Sequence, residues 1–217
     1  GVPLEMEHLF GAYVRPDLKK IQKRVIGHRI IKTVGLTEAS LWEKFGPVER
    51  LERLVTVASL PSYLEVKIRL SYCAESLEEV EIRLGEAEVM VMASVGKWVY
   101  GKDNDTLEGI VGKILKDKGR TLAVGESCTG GLIGHRLTQE PGSSRYFLED
   151  IVAYSNEAKT SRLEVSSALI QKHGAVSAEV ARSMAEGIRK TSGADIGLSV
   201  TGVAGPGASN NKPTGTG

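Results

Sequence analysis

Three short segments of this sequence collect the residue types that attack or hold a polar substrate. The first, GESCTGG at residues 125–131, sets hydroxyls and a thiol among glycines. Glycines let a backbone approach a ligand closely, and N–H groups at a helix start favour an anion such as phosphate. The segment is not a Walker A loop, because no G-K-[ST] follows, and it is not G-x-G-x-x-G. The same residues also suit a tight strand-to-helix turn capped by Ser or Thr. The second segment pairs Gly142, Ser143 and Ser144 with YSNEAK at residues 154–159. A lysine whose pKa is lowered by desolvation or a neighbouring cation can serve as the base for a serine nucleophile, with no histidine or aspartate required. Spacing alone is met more simply by Lys159 on a solvated helix face and Ser143 as an N-cap. The third segment, TGVAGPG at 201–207, has the glycine and proline content of a loop that offers N–H donors to an oxyanion or phosphate, and equally of a surface turn.

The elements that must carry these segments follow from periodicity. Residues 121–124 suit a short buried strand feeding the first segment. Residues 150–154 suit a second strand and 194–200 a third, which ends in TGVAGPG. A helical pattern over 178–190 puts Val180, Ala181, Met184, Ala185 and Ile188 on one face. Strand–helix alternation of this kind predicts an α/β domain with a helix-flanked, mostly parallel sheet, whose ligands bind at the carboxyl ends of the strands.

Upstream the pattern differs. Of the 25 glycines, 17 fall after position 105, whereas eight of the 11 aromatic residues fall before it. The polar stretch 101–109 reads as a domain boundary, and a helix capped by Asp105 or Thr106 follows it, with Leu107, Ile110, Val111, Ile114 and Leu115 as one stripe and Lys116, Lys118 and Gly119 closing it. Residues 4–27 read as a basic, loosely helical lead. Residues 29–34, 55–58 and 63–72 read as strands, 98–100 as a short closing strand, and Thr37 and Ser76 as openings of helices, Ser76 with Glu79 as a capping box. This is a small α+β domain.

The whole chain has 217 residues, 28 of them basic and 27 acidic, which argues against a strongly electropositive nucleic-acid binder. Its apolar runs fall far short of the roughly 20 residues that span a bilayer. Cys73 and Cys128 form no C-x-x-C pair, and His8, His28, His135 and His173 lack ligand spacing, so neither a disulfide scaffold nor a metal site is expected. A cytoplasmic protein with no membrane partner is the expectation.

GESCTGG, YSNEAK, HGAVS at 173–177 and TGVAGPG, in this order and spacing, resemble the C-terminal domain of the CinA family (competence/damage-inducible protein A). The resemblance covers roughly residues 105–217. Residues 28–104 resemble that family's KH-type middle domain, and the opening GVPLEM resembles the end of its N-terminal domain, related to molybdopterin-biosynthesis proteins, leaving residues 1–27 as a remnant or lead helix. The family contains nicotinamide mononucleotide deamidases. The resemblance therefore implies an amidohydrolase that converts nicotinamide mononucleotide to nicotinate mononucleotide and ammonia, without metal or cofactor, as a homo-oligomer (dimer). It implies Ser144 as nucleophile, with Ser127 as the rival, Lys159 as general base and Tyr154 as its assistant. Cys128, Thr129, Gly130, Gly131, Asn156, Thr201, Gly202 and Gly205 would bind substrate, with Thr201 bearing on the reacting group or oxyanion. The family pattern continues past KPTGTG into a further strand and a helix with a basic residue, so the sheet is expected to be incomplete. A non-catalytic nucleotide-binding or regulatory domain is the alternative. A nucleic-acid partner is not expected, since no G-x-x-G flanked by basic residues lies between helices in 28–104.

Overall fold

The computed structural model describes residues 2–62, 65–205 and 213–217, and the chain divides into units Gly1–Asp105 and Thr106–Gly217. Prolines at positions 3 and 16, where a helix's first turn tolerates a missing N–H, open helices α1 (Pro3–Leu9) and α2 (Arg15–Ile21). A π-helical stretch (Phe10–Val14) joins them, and none of these residues is buried. The helical lead stops at Ile21 rather than 27, because Val25 already pairs with Ala74 in strand β1 (Val25–Val34).

The rest of the first unit follows its caps and alternation. Thr37 accepts a hydrogen bond from the Ser40 N–H (3.2 Å) and starts α3 (Glu38–Phe45); the single turn α4 (Glu49–Glu52) and strands β2 (Thr56–Pro61) and β3 (Glu65–Ala74) come next. Ser76 Oγ accepts from the Glu79 N–H at 3.2 Å and caps α5 (Leu77–Val95). Trp98 ends a 3₁₀ turn instead of entering the last strand, β4 (Val99–Lys102). The sheet is antiparallel in the order β2-β3-β1-β4. Alternate residues Val66, Ile68 and Leu70 of β3 are buried, facing the same core as Val80, Leu84 and Val91 of α5. Each such side chain contributes about 1.5–3 kcal/mol on burial. Tyr63 and Leu64, which the sequence pattern put at the start of β3, lie outside the described residues.

In the second unit Thr106 Oγ1 accepts from the Gly109 N–H (3.0 Å) and caps α6 (Leu107–Asp117). Strand β5 (Leu122–Glu126), helix α7 (Leu132–Thr138), a 3₁₀ turn (Ser143–Arg145), strand β6 (Phe147–Val152) and helices α8 (Asn156–Leu163), α9 (Ser167–His173) and α10 (Ala178–Ser192) lead to strand β7 (Ile196–Ser199). The three strands are parallel, in the order β6-β5-β7. Every residue of central β5 is buried. Leu122 and Val124 pack with Leu115, Leu137 and Tyr146, whereas Ala123 packs with Leu163, Met184 and Ile188, so the two faces of the sheet carry separate apolar clusters. Helices α8 and α10 touch at Gly187, where a Cβ would stand 1.8 Å from the Leu163 carbonyl oxygen. That close approach fixes α8, which carries Lys159.

Strand β6 spans 147–152 rather than the 150–154 read from the sequence. It is an edge strand with Leu148, Glu149 and Val152 exposed, so it lacks the continuous apolar run that marks a buried parallel strand. Residues 153 and 154 leave it to feed α8. Helix α9 had no counterpart in the periodicity reading. Among the described residues no helix is long and apolar enough to cross a membrane.

Candidate active site

The register of the parallel sheet aligns Glu126 with Val152 and Gly125 with Ser199, so three chain segments leave their strands at one edge. They are the loop after β5, residues 153–159 after β6, and residues 200–205 after β7. A cavity of about 260 Å³ opens there, with Ser127, Cys128, Lys159 and Thr201 among its walls. Tyr154, Asn156, Ala175, Val176, Gly202 and Gly205 complete most of its rim.

Lys159 is the centre of the site. Ser155 Oγ accepts from the Ala158 N–H at 3.1 Å and starts α8 so that position 159 faces inward. The side chain is only 2% exposed, not solvated as spacing alone suggested. Its Nζ donates to Ser127 Oγ at 2.9 Å, to the Ala153 carbonyl at 3.0 Å and to the Tyr154 carbonyl at 3.3 Å. No carboxylate among the described residues pairs with it. Desolvation without a counter-charge pushes its pKa below the ordinary lysine value, and the nearby Cys128 only partly opposes this. A neutral amine has two hydrogens and one lone pair. With the hydrogens on the two carbonyls, the lone pair is left for the Ser127 hydroxyl.

Ser144 is not part of this arrangement. It lies in the 3₁₀ turn before β6, exposed, at the amino edge of the sheet. The six residues of β6 separate it from the carboxyl edge by about 20 Å at ~3.3 Å per residue. Ser143 is not an N-cap either; Gly142 occupies that position of the short turn, with no side-chain bond. Tyr154 reaches Lys159 through its carbonyl, while the residue as a whole is 73% exposed at the rim.

The loop after β5 splits in two. Ser127 and Cys128 line the cavity, but Thr129, Gly130 and Gly131 do not. The N–H of Gly131, in the segment that the sequence offered to a phosphate, and the N–H of Gly134 are bonded to Glu126 Oε2 and Oε1, both at 2.9 Å. The anion at this helix start is the chain's own carboxylate. Gly130 (φ +61°) and Gly131 (φ +95°) take left-handed conformations that make the turn.

Thr201 is buried and donates its hydroxyl hydrogen to the Ala175 carbonyl at 2.9 Å, so that hydrogen is committed to the protein rather than to an oxyanion. The bond ties the loop after β7 to HGAVS, whose Ala175 and Val176 form a wall that sequence reasoning quoted but gave no role. At Gly202 a Cβ would stand 2.9 Å from Cys128 Sγ, so glycine is needed for the two loops to meet. Pro206 and Gly207 of TGVAGPG lie outside the described residues. Among the described residues no three His, Cys, Asp or Glu side chains cluster to hold a metal ion.

Fold and site together define a two-unit α/β protein that buries a lysine against a serine hydroxyl at the carboxyl edge of a parallel sheet. Residues 104–217 match the CinA C-terminal domain and residues 28–101 match the damage-inducible protein CinA KH domain. The chain belongs to the CinA family. It is 42% identical to a CinA-like protein of Cytophaga hutchinsonii over 219 residues, covering 100% of this chain and 52% of the relative. It is 41% identical to a putative competence-damage inducible protein of Caldicellulosiruptor saccharolyticus, covering 99% of this chain and 53% of the relative. The chain thus spans about half the length of the curated relatives it matches. Among solved structures, the competence/damage inducible protein CihA from Agrobacterium tumefaciens is 38% identical with a TM-score of 0.48, over 50% of this chain and 66% of that one.

Proposed function

We propose that the second unit is an amidohydrolase that deamidates nicotinamide mononucleotide to nicotinate mononucleotide and ammonia, with Ser127 as nucleophile and Lys159 as base. The observation that carries this reading is the 2.9 Å hydrogen bond between a buried, unpaired lysine amine and the Ser127 hydroxyl. Neutral Lys159 takes the Ser127 proton as Oγ bonds to the carboxamide carbon. The C=O electron pair moves onto oxygen, forming a tetrahedral oxyanion. The N–H group of Cys128, a residue of the cavity wall with no backbone bond among the described residues, is its donor. On collapse the C–N bond breaks, the Lys159 ammonium protonates the departing ammonia, and an ester to Ser127 remains. Water then attacks the ester, giving its proton to Lys159. The carboxylic acid leaves, and Ser127 recovers its hydrogen. No redox partner enters this balance.

The test is incubation of the intact protein with nicotinamide mononucleotide, following ammonia and the deamidated nucleotide. Stoichiometric release of both, lost on Lys159→Ala, is expected. No turnover, or full turnover by Lys159→Ala, overturns the proposal; tight binding without hydrolysis would point to a nucleotide-sensing domain instead.

A further inference from the structure

The most heavily buried carboxylate of the chain takes no part in the reaction just described. Glu126 is 0% exposed and immediately precedes Ser127. Its two oxygens each accept one backbone N–H, from Gly131 and Gly134, so it closes the turn of residues 127–131 from behind. A second carboxyl, Asp150 of neighbouring β6, stands beside it. Room for Asp150 exists only because position 134 has no side chain: a Cβ there would lie 2.0 Å from Asp150 Oδ2. Asp150 Oδ1 is buried with no conventional donor in reach, which suits a carboxyl whose partner is another carboxyl.

Two carboxyls in contact share one proton, because both cannot ionise cheaply. Burial and the charge of Glu126 push Asp150 up to about 6. Burial raises Glu126 as well, but the hydrogen-bonding groups around it, the Gly131 and Gly134 N–H among them, more than offset it and hold its pKa below the ordinary glutamate value. Other charged groups face elsewhere. On α7, His135 is exposed and Arg136 is engaged with Glu108; on β6, Glu149 is exposed.

We propose that Glu126 and Asp150 form a one-proton carboxyl pair that holds the 127–131 turn and thereby sets the Ser127 hydroxyl against Lys159. They are positioning residues, and their link to catalysis rests on the reading of Ser127 and Lys159 given above. Glu126→Gln places an amide NH₂ against an N–H donor and breaks the clamp. Asp150→Asn supplies a permanent neutral donor to Glu126 and imitates the protonated acid.

The experiment uses the intact protein and two independent readouts. One is the apparent pKa of Lys159, from the pH dependence of its acylation followed by mass spectrometry. The other is kcat and KM for deamidation. In Glu126→Gln, water reaching the amine raises the Lys159 pKa toward its ordinary value, and kcat falls by about tenfold or more with KM changed less. Asp150→Asn, the conservative partner, keeps the wild-type Lys159 titration. It also removes the part of the wild-type loss of thermal stability that occurs as pH rises through about 6. An unchanged Lys159 titration in Glu126→Gln overturns the proposal, and so does an Asp150→Asn variant as disturbed as Glu126→Gln. If the wild type deamidates nothing, the reaction assignment fails, while the Lys159 titration still decides the positioning claim. If Glu126→Gln does not fold, the stability difference between wild type and Asp150→Asn across pH decides it.

Discussion

The first unit hides almost nothing polar, whereas the second buries a charged and polar cluster at one sheet edge. Among the described residues of the antiparallel unit the one buried polar side chain is Thr33, whose hydroxyl donates to the Val66 carbonyl at 2.9 Å. In the parallel unit Glu126, Ser127, Lys159 and Thr201 are all buried within or beside three strand-end loops. Burying such groups costs stability unless each is bonded, and here each bond is aimed at a cavity or at the turn that walls it. The difference teaches where each unit uses its interior: the first for apolar cohesion, the second also to hold polar groups beside a cavity.

That contrast breaks most sharply at Lys159. Lys159→Ala is expected to lower kcat for nicotinamide mononucleotide by about a thousandfold or more, measured as ammonia release. Ser127→Ala is expected to lose turnover to a similar extent, while Ser144→Ala stays within about threefold of wild type. The reverse result would return the nucleophile's role to Ser144. On the other side of the comparison, Ile68→Ala removes a fully buried side chain from the middle of β3. It should cost the first unit about 2–5 kcal/mol in denaturant unfolding and leave the deamidation rate unchanged at temperatures where that unit is folded.

The pH dependence sharpens the contrast with opposite signs. Lys159 has a folded pKa below its unfolded one, so the unfolded chain binds more protons between the two values. Its contribution therefore makes stability rise with pH through that window. The reaction rate should rise with pH as the amine loses its proton. Asp150 has a folded pKa raised from 3.8 to about 6, so its contribution is full below 3.8 and is lost as pH rises through about 6. Comparing wild type with Lys159→Met and Asp150→Asn by thermal unfolding from pH 4 to 9 separates the two slopes; slopes of one sign would refute the assignment. The smallest effect is expected at the cap of α5. Ser76→Ala removes the acceptor for the Glu79 N–H and should cost about 1 kcal/mol.

Much of the local structure was legible from residue order. Thr37, Ser76 and Thr106 each accept the bond from the third residue on that their spacing predicts. The periodic stripe of α10 buries Val180, Met184 and Ile188 as expected. Edge strand β6 and short α9 were harder to read, since half-exposed segments carry weaker periodicity. Glu126 was visible only as one letter of GESCTGG; a carboxylate between a buried strand and a glycine turn was the available signal.

Sequence alone determined the caps, the stripe of α10 and the short list of loops able to do chemistry, because those depend on neighbours within one or two turns of chain; of the stripe expected on α6 only Leu115 is buried, and Ile114 is exposed. The sequence put Ser144 first as nucleophile and Ser127 only as its rival, since both stand in small-residue turns upstream of Lys159. Only the parallel register separates them in space. Pairing Glu126 with Val152 carries the residues after each strand to the same edge, while Ser144, preceding Phe147, is left at the other. The burial that lowers the Lys159 pKa is likewise a product of strands and helices distant in sequence closing around one amine, which no local pattern encodes.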